Sequence, residues 1–351
     1  MKSSTCSYLI LLLLFTGAEP LWGQVKEKRV DKTFTVNSRT RLRIDNKFGK
    51  VHIDTWDQNK IVVQVIIEVD GNDEAARNVL DRINIDISES SSEISLETDI
   101  DESRNKWRNQ RFRINYTVKM PRNNPLSIDH RHGDVYIDNL EGPLDLELAH
   151  GQIVAEGLNG KSRISLQHGN GGRIASIGSG SLEIQHYQRL RIGRMGSMDV
   201  DIAHASIEVE EAGDLDIEVR HSKIELGKAG ALNMDMQHST LEVENLERLL
   251  EADCNHSHVE VGRLSNNFTS VIFDGNHSYL GLELESGTNA TVEVDLNHGK
   301  LNYPKSGINM SHINIENNSR EYKGKIGNGS GGQIEVHGNF TDVSIELGAG
   351  R

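Results

Sequence analysis

The sequence predicts an all-β protein: a parallel β-solenoid with short coils of about 18 residues, preceded by an N-terminal β-rich module that contains one short helix. Three observations predict this fold class. Histidine recurs at a nearly constant interval, apolar residues alternate on both sides of each recurring histidine, and proline is scarce, at 5 of 351 residues. Because proline removes a hydrogen-bond donor from a β-ladder, its scarcity suits long uninterrupted strand pairing.

Ten of the 15 histidines fall into one column of the repeat. Neighbours in the column are 17 or 18 residues apart over the first seven intervals and 21 residues apart in the last two. The members are His132, His150, His168, His186, His204, His221, His238, His256, His277 and His298. Scattered histidines do not keep one interval, so the chain is predicted to be a tandem array.

Each repeat carries apolar residues four and two positions before the histidine and three and five positions after it. Around His221 these are Ile217, Val219, Ile224 and Leu226. Alternation with period two marks a strand with one buried face, and the change of parity after the histidine marks a corner. One repeat is therefore predicted to be one coil: a strand, a corner at His-Gly or His-Ser, a second strand and a closing loop. Coils of this kind bury their faces only by stacking, which predicts a solenoid over residues 122–303.

The same parity places the histidine on the buried side of its strand. We therefore expect the ten imidazoles to point inward and to form a structural ladder along one corner of the solenoid. Neutral imidazole carries one donor and one acceptor, so stacked rings can satisfy corner backbone groups or one another.

Residues 1–23 are predicted to be a secretory signal peptide. Lys2 supplies a positive start, and the apolar run from Tyr8 to Phe15 is too short to span a bilayer. The predicted destination is the periplasm, the outer cell surface or the medium, and no transmembrane segment is predicted in the mature chain. Cys6 lies in this leader, so Cys254 is the thiol that remains, and a disulfide framework is not expected.

The flanks of the array are predicted to cap it, because solenoids need protected ends. Residues 24–121 form the N-terminal module, in which 40–56 looks like a further coil with Phe48-Gly49 in place of His-Gly. The other expected elements are strands at 60–69, 83–87, 93–98 and 112–120, and a helix at 73–82 capped by Asn72 or Asp73. Residues 304–351 are rich in glycine and are expected to form the last coils and the opposite cap.

Three segments carry a resemblance to a known family: FTVNSRTRLRIDNKFGKVHIDTWDQNKIVVQVIIEV, YTVKMP and KGKIGNGSGGQIEV. With them the chain resembles the adhesin-like β-strand-repeat proteins of Gram-negative bacterial envelopes, which contain a domain of unknown function. The resemblance covers nearly the whole chain after the leader. It implies export and a β-solenoid, and it brings no catalytic residues.

The charge balance excludes a nucleic-acid surface. The chain has 52 acidic and 38 basic residues, for a net charge of −14, whereas such surfaces need clustered positive charge. Acidic residues concentrate in two outward columns, one three positions before the histidine and one four positions after it. The first contains Asp201, Glu218, Asp235 and Asp253, and the second contains Glu208, Glu225, Glu242 and Glu260. Either the columns form a solvated face, or a cation compensates their charge.

Metal binding is the alternative reading of the histidine column. Its candidates are His204, His221, His238 and His256, with Glu208, Glu225, Glu242 and Glu260. Metal–nitrogen bonds of about 2.0–2.1 Å bring two ligand nitrogens closer together than neighbouring coils lie. The sequence therefore predicts a structural ladder with no metal and no cofactor. The basic stretch at 104–113 is interpreted as a solvated loop and edge strand, with contact to phosphate-bearing polymers as its alternative.

The sequence matches none of the catalytic motifs considered. The sequence holds no Gly-x-Ser-x-Gly, phosphate-binding loop, His-Glu-x-x-His or Cys-x-x-Cys pattern. We therefore expect an exported, non-enzymatic structural or adhesive module of the cell envelope, whose partner is a protein or a polysaccharide of the envelope or of a host surface. There are two alternatives: a polysaccharide-active or carbohydrate-binding β-helix, and the metal-binding array. A cleft with convergent carboxylates would favour the first.

Overall fold

The computed structural model describes residues 25–71, 74–101 and 111–348 of the chain. The predicted signal peptide, the expected helix-capping residues Asn72 and Asp73, and residues 104–110 of the basic stretch lie outside the described residues. No helix in the described part is long and apolar enough to cross a membrane.

The described residues of the N-terminal part form seven strands and one helix. They are β1 (Val25–Thr35), β2 (Arg41–Asn46), β3 (Val51–Trp56), β4 (Lys60–Asp70), α1 (Glu74–Leu80), β5 (Ile83–Glu89), β6 (Glu93–Ile100) and β7 (Phe112–Pro121). Helix α1 begins and ends within the predicted range and packs on β1 and β4, with Ala76, Val79 and Leu80 buried.

The repeat array follows without a helix. Its strands are β8 (Leu126–Arg131), β9 (Val135–Ile137), β10 (Leu144–Ala149), β11 (Ile153–Gln167), β12 (Arg173–Gln185), β13 (Leu190–Ala203), β14 (Ser206–Arg220), β15 (Lys223–Gln237), β16 (Thr240–Asn255), β17 (His258–Leu264), β18 (Ser270–Asn276), β19 (Tyr279–Leu284), β20 (Ala290–Asn297) and β21 (Leu301–Asn302). The last four are β22 (Ile308–Glu316), β23 (Ser319–Ile326), β24 (Gly332–Asn339) and β25 (Asp342–Leu347).

Every coil contributes one strand to each of two parallel ladders. Face A contains the strand before the histidine corner, and face B contains the strand after it. On face A, Ile217 pairs in register with Val200 and Met234 in the neighbouring coils. On face B, Ile224 pairs with Ile207 and Leu241. Strands β11 to β16 are long because each continues from face B of one coil to face A of the next.

The apolar positions predicted from the repeat line the core. Ile217, Val219, Ile224 and Leu226 are each at most 2% exposed, and equivalent residues of the other coils join them in one continuous cluster. The prediction of an all-β, short-coil parallel solenoid is confirmed. The physical reason is that alternation buries one side of each strand while the ladder pairs its backbone groups.

Two coils lie out of chain order in the stack. Strands β2 and β3 sit between β6 and β7 on one side and β8 and β9 on the other. Strand β24 is inserted between β18 and β20, and β25 between β19 and β21. The expectation that the glycine-rich C-terminal segment forms the opposite cap is therefore wrong for 332–347, which is an internal coil.

Antiparallel strands close the stack at both ends. Strand β5 pairs with β6, and β4 followed by β1 extends face B from β7. At the other end β23 pairs with β20, and β22 pairs with β23. These strands cover both parallel edges of the first coil and the face A edge of the last coil, which would otherwise be exposed.

Candidate functional site, a histidine edge along the solenoid

The corner of each coil has an unusual backbone. All ten column histidines have φ between 50° and 61°, and Phe340 has φ 51°. This left-handed region is uncommon for residues other than glycine, and asparagine, aspartate and histidine are enriched in it. The ladder nevertheless reaches the corner: the His150 N–H donates to the Gln167 carbonyl at 2.9 Å, and His221 repeats the bond to Gln237 at 3.0 Å.

The imidazoles are exposed, and the expectation that they point inward is wrong. Parity counting assumes an extended backbone at every position. A left-handed residue breaks that alternation, so its side chain leaves the inward row and projects from the corner into solvent.

Exposed rings form one continuous stack. Neighbouring imidazoles from His132 to His277 have centroids 4.8–5.1 Å apart and planes within 3–10° of parallel. Phe48 continues the row at 5.3 Å from His132, and Phe340 lies between His277 and His298 at 4.7 and 4.6 Å. The spacing equals the rise between paired strands. We call these ten histidines and two phenylalanines the histidine edge, which is about 50 Å long at that rise.

A row of hydroxyls supports the edge from beneath. It consists of Ser222, Ser239, Ser257, Ser278 and Thr341, each directly after a ring of the stack and each buried. The Ser222 N–H donates to Ser239 Oγ at 3.2 Å, and Ser239 Oγ donates to the Gln237 carbonyl at 2.7 Å. The next pairs repeat both bonds. In the first coils Gly133 and Gly151 take this place, because a Cβ there would meet the corner carbonyl of the neighbouring coil.

Side-chain amides flank the edge on face A. Asn255, Asn276, Asn339 and Asn297 directly precede their rings and form a chain of amide hydrogen bonds of 3.2 Å each. Gln167, Gln185 and Gln237 occupy the same position in other coils. In this row Asn339 lies between Asn276 and Asn297. These side-chain contacts therefore agree with the strand pairing that places residues 332–347 inside the stack.

The acidic columns stack in the predicted register. Asp201, Glu218, Asp235 and Asp253 pair successively on face A, and Glu208, Glu225, Glu242 and Glu260 pair on face B. Basic side chains bridge several of them. Arg220 lies 3.0 Å from Asp201 and 3.6 Å from Glu218, and Lys223 lies 2.6 Å from Glu225 and 3.0 Å from Glu242.

The metal candidates do not converge. Among the described residues, no group of three or more histidine, cysteine, aspartate or glutamate side chains is placed to hold a metal ion. The ring centroids of His204, His221 and His238 are 5.0 Å apart and the ring planes are within 3° of parallel, so these rings do not point at a common centre. The glutamate column is on face B, four residues beyond the corner.

One further histidine is buried where the repeat predicts an apolar residue. His130 lies two positions before His132 and is 0% exposed. Its Nδ1 is 3.0 Å from the Asn46 carbonyl and its Nε2 is 3.1 Å from the Gly49 carbonyl. Burial lowers the pKa of His130, and the two carbonyls oppose that shift. Sequence reasoning missed this contact because it joins the array to coil 41–56, far away in the chain.

Two other buried groups, the Cys254 thiol and the Tyr187 hydroxyl, stay protonated at neutral pH. Burial raises the pKa of the Cys254 thiol to about 12, so thiolate is scarce at neutral pH. Burial likewise raises the pKa of Tyr187 to about 12. Tyr187 directly follows His186, and its ring fills the space beside Gly169 and Gly172.

An open groove runs along face A. Its lining includes Arg163 and acidic residues of successive coils, namely Asp145, Glu147, Glu183, Asp199, Asp201, Asp216 and Glu218. Arg163 lies 3.8 Å from Asp145. The carboxylates recur from coil to coil in ladder register, so the geometry does not single out one pair for acid–base chemistry.

Comparisons with known proteins give low similarity. No protein-family profile and no curated protein matches the chain. Solved structures that are similar to it include a "putative cell adhesion protein" from Clostridium sporogenes, with 9% identity, TM-score 0.20 and coverage of 92% of this chain and 100% of the other. A "putative adhesin" from Bacteroides fragilis has 11% identity and TM-score 0.25, covering 91% of this chain and 97% of the other. A "putative adhesin" from Parabacteroides distasonis has 9% identity and TM-score 0.28, covering 92% and 97%. At these TM-scores the likeness carries no argument about function. The functional proposal below is therefore argued from the surface of this protein.

Proposed function

We propose that the protein is an exported, non-enzymatic structural or adhesive module that binds an extended partner along its rod. The observation that supports this most is the histidine edge. Ten histidine rings and two phenylalanine rings form one row that repeats a stacked ring from coil to coil, and a surface of that form suits a polymer or a long protein face better than a small molecule.

Non-enzymatic action is supported by the repetition of the polar side chains. A catalytic site needs a few groups in a particular geometry that differs from its surroundings. The carboxylates of face A recur at the same position in coil after coil. The leader predicted at residues 1–23, outside the described residues, supports export. The boundaries at 121 and 303 stay predictions.

The first experiment locates the protein and its mature end. Cells that produce the full chain are fractionated, and the N-terminus of the mature product is read by mass spectrometry. Export predicts a product that lacks about the first 23 residues, in the periplasm, on the surface or in the medium. Full-length protein in the cytoplasm contradicts the proposal.

A second experiment separates binding from catalysis. The purified protein is presented to immobilised polysaccharides and envelope proteins by surface plasmon resonance, and the same polymers are assayed for released reducing ends. The proposal expects binding without products. Products would establish the polysaccharide-active alternative, and absence of binding to every surface would overturn the module.

A further inference from the structure

We propose that the histidine edge binds a linear acidic polysaccharide in mildly acidic solution, with the polymer running parallel to the rod. This deepens the proposed function and rests on it. The juxtaposition that carries it is a straight row of exposed imidazoles at a spacing of about 5 Å, flanked by a row of side-chain amides.

The row is a proton-dependent charge array. An exposed imidazole changes its charge between about pH 5 and pH 8. Neighbouring rings lie 4.8–5.1 Å apart, a distance at which two unit charges in water repel by roughly thermal energy. Burial and the charge of His150 lower the pKa of His132. A polyanion laid along the row relieves this repulsion at every ring, whereas a small anion relieves it locally.

Fixed negative charges lie along one side of the edge. Face A carries a carboxylate row two positions before the amides, made of Asp129, Glu147, Glu183, Asp201, Glu218, Asp235, Asp253, Asp274 and Asp295. Ser165 interrupts the row between Glu147 and Glu183, and His337 of the inserted coil lies between Asp274 and Asp295, 3.8 Å from Asp295. Arg131 lies 3.5 Å from Asp129, and Arg220 pairs with Asp201 and Glu218, so the row is partly neutralised.

On face B the residues nearest the edge carry few and mixed charges, and the glutamate column Glu208, Glu225, Glu242 and Glu260 lies four positions beyond the histidines. Lys223 follows His221 and pairs with Glu225 and Glu242. Lys300 follows His298, and Arg320 donates to the Gly299 carbonyl. His258 lies two positions after His256. Arg189 lies three positions after His186 and donates to the side-chain oxygen of Asn170. Asp134 and Asp342 each accept a backbone N–H of a neighbouring coil, from Gln152 and Lys300. The rings themselves are therefore the main source of positive charge in acid.

The flanking amides favour a carbohydrate over a nucleic acid. Asparagine and glutamine both donate and accept, which matches sugar hydroxyls. The ring spacing is comparable to the length of one sugar residue in an extended chain. Nucleic-acid surfaces rely on permanent lysine and arginine charge, and the overall balance of this chain is −14.

The test measures binding of polygalacturonate to the purified protein by isothermal titration calorimetry at pH 8.0 and pH 5.0, at equal ionic strength. Titrations in two buffers of different ionisation enthalpy give the number of protons taken up. We expect affinity to rise at least about tenfold at pH 5.0, with uptake of more than one proton, since one pKa shifted by one unit contributes up to about tenfold.

Two matched variants assign the effect. The triple variant His204→Asn, His221→Asn, His238→Asn interrupts the row in its middle and keeps residues that tolerate a left-handed backbone. The control variant His52→Asn, His312→Asn removes two exposed histidines that lie outside the row and its flanking residues. Thermal melts verify that both fold. We expect the first to lose at least about tenfold in affinity at pH 5.0 and the second to change little.

Each other outcome overturns the inference. Equal affinity at both pH values, or equal loss in both variants, removes the edge as the site. Equally tight binding of oligo(dT) would indicate a general polyanion surface, and loss of binding in EDTA would indicate a bridging metal. Binding of other polymers or proteins without pH dependence would leave the proposed function standing while this inference fails.

Discussion

Histidine meets two requirements at the corner of each coil. The backbone there is left-handed, which histidine tolerates better than most residues do, and the exposed ring can stack on the rings above and below it. Phe48 and Phe340 satisfy the second requirement in the same way. The column is therefore explained by backbone conformation and ring stacking, without burial.

Substitution of His221 separates these two requirements. His221→Val places a β-branched residue at φ 50°, and we expect it to lower the free energy of unfolding by about 1–2 kcal/mol. His221→Asn keeps a residue that accepts this conformation and should cost less than about 0.5 kcal/mol plus the loss of stacking. Urea unfolding measures both. Equal losses would show that backbone strain does not select the residue.

A buried histidine makes the stability of the folded protein depend on pH. His130 is buried against two carbonyls, and its pKa is lowered by burial. The unfolded chain therefore binds this proton more readily than the folded protein does. Stability is fully present above the unfolded pKa of about 6.5, falls as the pH drops through that value, and levels off beneath the folded pKa.

His130→Leu tests this assignment, because leucine is the residue at the same position of the next two coils, as Leu148 and Leu166. We expect a loss of about 1 kcal/mol at pH 8 from the missing hydrogen bond, and a smaller further loss between pH 7 and pH 5 than in the unchanged protein. Unfolding midpoints across this range measure it, with the exposed His52→Asn as control. An unaltered pH slope in His130→Leu would assign the acid sensitivity elsewhere.

Strand register decides which neighbouring residues matter for stability. Ile224 and Glu225 are adjacent on β15, yet Ile224 is 0% exposed while the Glu225 side chain is 47% exposed and pairs with Lys223. Alternation along the strand produces this contrast.

Ile224→Asp should therefore destabilise the protein by several kcal/mol, because it buries a charge in the core. Glu225→Ala should cost less than about 1 kcal/mol, since Lys223 keeps Glu242 as a partner. Thermal and urea unfolding of the two variants check the register. Similar costs would contradict it.

In the whole molecule, coil order matters more than chain order. Strands β24 and β25 pair on both sides, with β18 and β20 and with β19 and β21. Solenoid stability is a sum over neighbouring coils, so an inserted coil supports two interfaces and a terminal one supports a single interface.

Removal of residues 332–351 should therefore expose coils on both sides of the gap. We expect hydrogen exchange to accelerate in both 270–284 and 290–302, together with a clear fall in melting temperature. Removal of β1 (Val25–Thr35), which pairs with β4 alone among the described strands, is the control and should have a more local effect. Fraying limited to 290–302 after the first truncation would contradict the inserted arrangement.

Local patterns were enough to predict the architecture of the array. The alternation around His221 and the interval between histidines already specify strands, a corner and the inward residues, because both depend on side-chain direction along a short stretch of extended chain. The likeness of 40–56 to a coil was visible for the same reason. The acidic columns follow equally, since a constant interval stacks equal positions.

The direction of the imidazoles and the order of the coils were decided by the tertiary structure. A left-handed φ at each histidine reverses the side that parity assigns, and its sign is settled by pairing with the coils above and below. Phe340 joins the ring row, and His130 reaches the Asn46 carbonyl, through contacts between segments that lie far apart in the chain. The periodicity within one strand does not specify which distant strand will pair with it. These features therefore depend on the tertiary arrangement of all the coils.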